Sequence, residues 1–350
     1  MWNLVSNVCL FVMTFNQLQI IQAAANFSIG VFHKFHKPPW GGGNQFLMAL
    51  TKELRSRDMI VEEVSDVRED IGVYLGNAIT FKFERVLQQR KTREIIMVHR
   101  VDGPYYSARY AKDPRLHRHD PWRAGEDEQV WRLNAELACA TIFQSKWSYD
   151  MNLLLGYKIK EPYYIIPNGV DDSIFNANNR VQWDISRKIR LISSAWAANE
   201  RKGYKSHKWL DDNLDFTKYE YLFIGNVVND LTFSNIKHRK PTGSKELGDI
   251  LRSMDIYIAA SYLEPCSNAL LEALACGLPV LFQKGSGHDD LVKQGGIGYS
   301  RPEEIPALLD TLVRNYSEYQ SRIKVESMRG ISDRYLSVMK RCNKASSADA

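Results

Sequence analysis

The chain has 350 residues, room for two domains of ordinary size, and its 44% hydrophobic and 25% charged content is that of a globular protein. With 46 Lys and Arg against 41 Asp and Glu, the formal charge is +5. That is too mild to argue for nucleic acid, and it suits anionic small molecules or an anionic membrane surface. The basic runs LQQRKTRE and PRLHRHDPWR are scattered rather than one-sided, as solvated surface charge would be.

Residues 1–25 hold an apolar stretch from Val8 to Phe15, then Asn16, Gln17, Gln19 and Gln22 ahead of Ala23 to Ala25. The stretch lacks a basic leader and is too short and polar for a membrane-crossing helix. Three readings stay open: an extension or misplaced start, a signal or anchor, or an added element of the first domain. FSIGVFHKF then reads as a strand running through PPWGGG into the amphipathic helix NQFLMALTKELRSR. Strand, glycine loop and helix in that order form the first unit of a doubly wound sheet. MIVEEV and DIGVYLG are two further short strands, and NAITFKFERVLQQR is a helix. EIIMVHR is a buried strand whose carboxyl end carries His99, Arg100 and Asp102. The loop from Pro104 to Arg123 exceeds the length usual in a compact domain, which marks it as functional or mobile. EDEQVWRLNAELACA reads as a helix, TIFQSKW as a strand and YYIIPNG as the last strand before a crossover.

From Arg187 the alternation restarts, with strand IRLISSAW, helix GYKSHKWLDDNL, strand YEYLFIGN and helix KELGDILRSM. The segment from Asp255 to Phe282 follows, and it reads as strand, tight loop, buried helix, turn and buried strand. Its helix NALLEALAC is apolar on every face except at Glu272, a costly position for a carboxylate unless something pairs with it. Glu264 stands eight positions earlier, in the loop that leaves the strand. Ser267 suits the N-cap, with Pro265 keeping the chain non-helical before it. The free N–H groups of the first turn then make an anion site beyond the strand's carboxyl end. A plain core helix with one ion-paired Glu is the competing reading. GIGYS is a final strand, PEEIPALLDTLVRNYSEYQSRI one or two helices and SDRYLSVMKRCN a terminal helix, with a disordered tail ASSADA.

The five cysteines are odd in number and contain no C-x-x-C pair. Cys139 and Cys276 are expected to be buried free thiols, which implies a reducing compartment and a cytoplasmic protein, with peripheral membrane contact left open.

The spacing Glu-x7-Glu within EPCSNALLEALACGLPV resembles the donor-binding signature of the retaining glycosyltransferases of family 4, the glycosyl transferases of group 1. Three other segments share the resemblance: IIPNGVDDSIF (Ile165 to Phe175), Arg201 to Gly203, and the glycine loop GGGNQF from Gly41. In order, the likeness runs from Phe27 to Tyr335. It implies an α/β protein of the GT-B fold, two Rossmann-like doubly wound domains facing across a cleft. Residues 26–170 would form the acceptor domain, 171–335 the nucleotide-sugar domain and 336–350 the terminal helix end and tail. The implied reaction moves a sugar from a UDP- or GDP-linked nucleotide-diphospho-sugar to a glycan, lipid-linked or small-molecule acceptor, as in polysaccharide biosynthesis. It would proceed with retention and without a metal. No cofactor beyond this co-substrate is implied, and no Asp-x-Asp triplet occurs in the chain.

On this resemblance Glu272 takes the ribose hydroxyls and Glu264 the donor sugar, while the N–H groups near Ser267, Asn268 and Ala269 take the diphosphate. Arg201 and Lys202 neutralise charge growing on the leaving phosphate. Their alternative is a surface pair at a helix start. Gly41, Gly42 and Gly43 admit the diphosphate or the acceptor, unless they are a plain tight turn. His99 is presented to the sugar or is a satisfied structural histidine. Asp102 is a hydrogen-bond partner for the acceptor. No protein nucleophile is implied. One departure stands out: Ser193, Ser194, Ala195 and Trp196 occupy the strand end where the family commonly has Gly-Arg, so Arg201 is expected to take over that role. Competing functions are a degenerate transferase-like subunit, a nucleotide-sugar epimerase of the same fold, and a dinucleotide oxidoreductase, whose third glycine GGGNQF lacks in register.

Overall fold

The computed structural model describes residues 27–37, 41–78, 82–104, 121–228 and 231–348. Two parallel six-stranded sheets organise them. In the first, the order is β2-β1-β3-β4-β5-β6, with β1 Ser28–Phe32, β2 Ile60–Glu63, β3 Val73–Asn77, β4 Met97–Val101, β5 Ala138–Phe143 and β6 Tyr163–Ile165. Strands β1, β3 and β4 are buried along their whole length, because helices cover both faces of a parallel sheet.

The second sheet runs β12-β11-β10-β7-β8-β9. Its strands are β7 Ile189–Ala195, β8 Tyr219–Gly225, β9 Lys237–Arg239, β10 Ile256–Ala259, β11 Val280–Gln283 and β12 Gly296–Tyr299. All neighbouring strands run parallel, and the order in which strands are added reverses between β1 and β3 in the first sheet and between β7 and β10 in the second. Such switch points leave a crevice outside the strands' carboxyl ends, the place where α/β proteins bind ligands. The two-domain α/β architecture expected from the sequence is the one observed.

Several elements differ from the sequence reading. Helix α1, Gly42–Arg55, starts two residues before Asn44 and takes in two of the three glycines. After α2, Phe83–Arg90, helix α3, Pro121–Leu137, absorbs the end of the expected long loop, of which residues 105–120 lie outside the described set. Ala138, Cys139 and Ala140 belong to β5 rather than to the preceding helix. Apolar runs of that length satisfy either period, and pairing with β4 decides the matter. Lys146 and Trp147, read as strand, open helix α4, Lys146–Leu154, capped by the Ser145 side chain accepting from Ser148 N at 3.1 Å.

The second sheet carries helices α5 Tyr204–Asn213, α6 Ser244–Ser253, α7 Asn268–Ala275, α8 Gly287–Val292, α9 Ile305–Arg314 and α10 Tyr316–Ser321. The last helix, α11, runs Met328–Ala348, so the expected tail from Ala345 is helical through Ala348. The anticipated boundary after 335 falls inside α11. Its residues Met328, Ile331, Tyr335, Leu336, Val338 and Met339 join the core formed by α1 and the first sheet. Cys342 of α11 forms a disulfide with Cys139 of β5, with Cα atoms 6.0 Å apart. The free-thiol expectation is therefore corrected for Cys139, and with it goes part of the ground for a reducing compartment. Cys276 is free and buried, as is Cys266. No helix among the described residues is long and apolar enough to cross a membrane.

Candidate functional site

The cleft between the sheets is built on the exit of β10. Ser267 has extended backbone (φ −84°, ψ 112°), and its hydroxyl accepts from Leu270 N at 3.3 Å. Its carbonyl accepts from Leu271 N at 3.1 Å. The N–H groups of Asn268 and Ala269 are the remaining first-turn donors, and both residues line the cleft. In the loop before them Leu263 is held at φ 53°, a left-handed conformation that costs a non-glycine residue energy.

Gly203 draws the basic residues in. Its φ is 76°, and a Cβ there would lie 2.0 Å from the carbonyl oxygen of Ala260, so glycine alone lets this turn close on the end of β10. Tyr262 N donates to Arg201 O at 2.9 Å across the same contact. The short 3-10 turn Glu200–Lys202 thereby stands beside Glu264. Lys202 Nζ lies 2.6 Å from Glu264 Oε2. Burial pushes the Glu264 carboxyl up, but Lys202, with His288 and Arg201 nearby, outweighs it and holds the group below the usual carboxylate range.

Glu272 differs. It lies one turn into α7 and lines the cleft, and its carboxylate has no hydrogen-bond or ion-pair partner among the described residues. Burial alone pushes its carboxyl up to about 7. The core-helix reading with an ion-paired Glu is thus not what the structure shows. Cys266, next to Glu264, has its thiol pushed up to about 12 by burial, which makes it a neutral wall rather than a nucleophile.

Two cavities meet at the Lys202–Glu264 pair. The first is lined by Glu272, Ser267, Asn268, Ala269, Gly41 and Trp196, among others. The second, on the far side of the pair, is lined by Gly43, Asp102, Gln144, Asn199, Arg201 and Tyr262. Gly42, Lys202, Glu264 and Cys266 border both. A Cβ at Gly42 or Gly43 would make only ordinary contacts, no nearer than 3.5 Å, and one at Gly41 would meet nothing within 4 Å. The protein's own packing therefore does not require glycine at these three positions, and the space left open faces the cleft.

One sequence expectation fails on geometry. His99 is fully buried on β4, where Nε2 lies 3.1 Å from Ala78 O and Nδ1 3.1 Å from Asn134 Nδ2. Burial pushes it down to about 4. Pointing into the first core, it borders neither cavity and is a satisfied structural histidine. Asp102, two residues on, does reach the second cavity.

At the end of β7, where Gly-Arg was missed, Ser193 Oγ donates to Ile258 O at 2.5 Å and lies 2.6 Å from Tyr221 OH. Ser194 N donates to Tyr257 OH at 3.2 Å. This strand end supplies hydroxyls and the indole of Trp196 but no cation. Arg201 and Lys202 are the cationic side chains that line the two cavities among the described residues. Sequence reasoning missed Asn168, whose Nδ2 donates to Asn268 Oδ1 at 2.7 Å, and the second role of Asn268, whose Nδ2 donates to Gly42 O at 2.7 Å. Its signal was present in the crossover motif IPNGVD, but the partners could not be read there.

Residues 234–325 match the family model described as Glycosyl transferases group 1. A probable sucrose-phosphate synthase of Thermosipho melanesiensis is 23% identical over 221 residues, which is 57% of this chain and 50% of that protein. The match thus spans about half the length of that curated relative. Among solved structures, sucrose-phosphate synthase from Thermosynechococcus elongatus is similar at TM-score 0.71 and 12% identity, covering 91% of this chain and 100% of that one. HepE of Anabaena in complex with UDP is similar at TM-score 0.61 and 12% identity, covering 92% and 99%, and a further HepE structure holds UDP-glucose. The fold is that of the GT-B glycosyltransferases, and Glu264, Ser267 and Glu272 all lie within the stretch that matches the glycosyl transferases group 1 model.

Proposed function

We propose that this protein is a glycosyltransferase that moves a sugar from a nucleotide-diphospho-sugar, UDP-linked before GDP-linked, to a hydroxyl of a glycan, lipid-linked or small-molecule acceptor. The observation that carries this reading is the convergence in one cleft of Glu264, Glu272, Lys202, Arg201 and the free first-turn N–H groups of α7. Each matches one part of such a donor. The Glu272 carboxylate has no partner among the described residues and can accept both ribose hydroxyls. The N–H groups and the helix dipole suit the diphosphate. Lys202 and Arg201 would stabilise charge building on the leaving phosphate, in a partly desolvated site where such stabilisation is strongest.

Glu264 is held in an ion pair, which suits it to orienting sugar hydroxyls rather than to attack. Retention would then follow from same-face attack assisted by the leaving phosphate, with the acceptor in the second cavity near Asp102. Charge neutralisation by Lys202 and Arg201 is the basis for proposing transfer without a metal. UDP stands first because HepE binds it.

A panel of UDP- and GDP-sugars, assayed for donor hydrolysis and transfer with and without excess chelator, tests the reading. Turnover of one donor that survives chelation is expected. Activity lost in chelator and restored by Mn²⁺ would remove the metal-free part, and no turnover or binding of any donor would favour a degenerate subunit.

A further inference from the structure

We propose that Arg100 is a positioning residue that ties the carboxylate of Asp102, in the second cavity, to the N-terminus of the donor helix α7 through Asn168 and Asn268; the inference rests on the donor site proposed above. Arg100 projects from β4 with its side chain wholly buried. Its guanidinium lies 4.8 Å from the centre of the Phe46 ring. Nη1 donates to Asn77 Oδ1 and to Asp102 Oδ1, and Nη2 donates to Asn168 Oδ1 at 2.6 Å. From there the line continues through Asn168 Nδ2 to Asn268 Oδ1 and through Asn268 Nδ2 to Gly42 O, each 2.7 Å.

The direction of this line is not free. A guanidinium only donates, so the oxygen of Asn168 must face it and the amide NH2 must face away. That NH2 fixes the oxygen of Asn268 towards Asn168, and the NH2 of Asn268 then meets a carbonyl, which only accepts. One buried cation therefore sets the orientation of two amides and closes the glycine wall against α7. On the other side, Asp102 Oδ1 is used by Arg100 and also by Gln144 Nε2. That leaves Oδ2, which a Cβ on Gly43 would approach to 3.5 Å. The carboxylate thus presents one oxygen to the second cavity while the other is clamped. Because Asn268 supplies both a link in this line and a first-turn N–H group, an anion bound at α7 tightens the same line that holds Asp102.

UDP calorimetry paired with hydrogen exchange tests the coupling without knowledge of the acceptor. In the unaltered protein, saturating UDP should slow exchange several-fold in peptides that span Asp102 and Gly103. Asn168→Ala should bind UDP within about tenfold of the unaltered protein and lose that slowing. Should Asn168→Ala fail to fold, Asn168→Asp keeps an acceptor towards Arg100 and lacks the donor towards Asn268, and the same loss is expected. Slowing that persists in a folded, UDP-binding Asn168 variant, or that is missing from the UDP-bound unaltered protein, overturns the inference. An unaltered protein that binds none of UDP, GDP and ADP overturns the donor site itself, and the inference with it.

Discussion

Lys202 Nζ lies 2.6 Å from Glu264 Oε2, and each side chain keeps only about a fifth of its surface exposed (22% and 21%). The two charges therefore neutralise one another at the point where the two cavities join. On the proposed assignment, a diphosphate entering the cleft would share Lys202 with Glu264, so that one cation would serve both the carboxylate assigned to the sugar and the leaving group.

Lys202→Ala should consequently weaken UDP binding by roughly 2–4 kcal/mol, the scale for removing one partner of a desolvated charge pair. Arg201→Ala should cost a similar amount if Arg201 serves for the cation absent at the end of β7. Calorimetry with UDP checks both. Unchanged affinity in the Arg201 variant would reduce that residue to surface charge.

The two glutamates should separate in kinetics. Glu272 is assigned above to the ribose, which does not change during reaction, so Glu272→Gln should raise KM and weaken UDP and donor alike. Glu264→Gln should lower kcat while leaving UDP affinity nearly intact, because the sugar's geometry and charge change in the transition state. Equal loss of UDP affinity in both variants would refute the division.

Glu272 also predicts a pH dependence. Its carboxyl is pushed up to about 7 by burial, so below that pH much of it is protonated and less able to accept two ribose hydroxyls. UDP affinity should rise with pH through about 7, with proton release on binding. Glu272→Gln should retain only the dependence that belongs to the phosphates. Calorimetry in two buffers of different ionisation enthalpy reads the released proton. Identical proton counts in the two proteins would count against the ribose assignment.

His99 should matter to stability and not to the site. Burial pushes it down to about 4, so the unfolded chain binds its proton first, near 6.5. The sign follows: this contribution is fully present above about pH 6.5 and is lost as pH falls towards 4. His99→Gln cannot charge and should flatten the loss of stability between pH 7.5 and 4.5 by about 2 kcal/mol. His207, also pushed down to about 4 by burial, would keep its own share. Urea unfolding at the two pH values measures the difference, and UDP affinity at pH 7.5 should be unchanged.

The Cys139–Cys342 disulfide closes a loop with a sequence separation of 203 residues. Cys342→Ser should therefore destabilise the packing of α11 on the first sheet by about 2–4 kcal/mol, through a larger unfolded-state entropy. Reductant should lower the stability of the unaltered protein to match the variant and leave the variant untouched.

The alternation of strand and helix and the strand–loop–helix–strand block from Asp255 to Phe282 were legible in the sequence because their signals are local. Apolar periods, the Ser267 cap and the glycine after Lys202 each act within a few residues. Boundaries such as Leu137 to Ala138 were not legible, since a short apolar run fits either period until a neighbouring strand pairs with it. Tertiary structure alone placed His99 in the core and Asp102 in the cavity, although two positions separate them on the chain. It alone joined Cys139 to Cys342, and Asn268 to Asn168 and Gly42 across 100 and 226 positions. The physical reason is the same in each case. Whether a polar or titratable side chain finds water, a partner or a ligand depends on groups brought close by the packing of two sheets, and no local pattern encodes that distance.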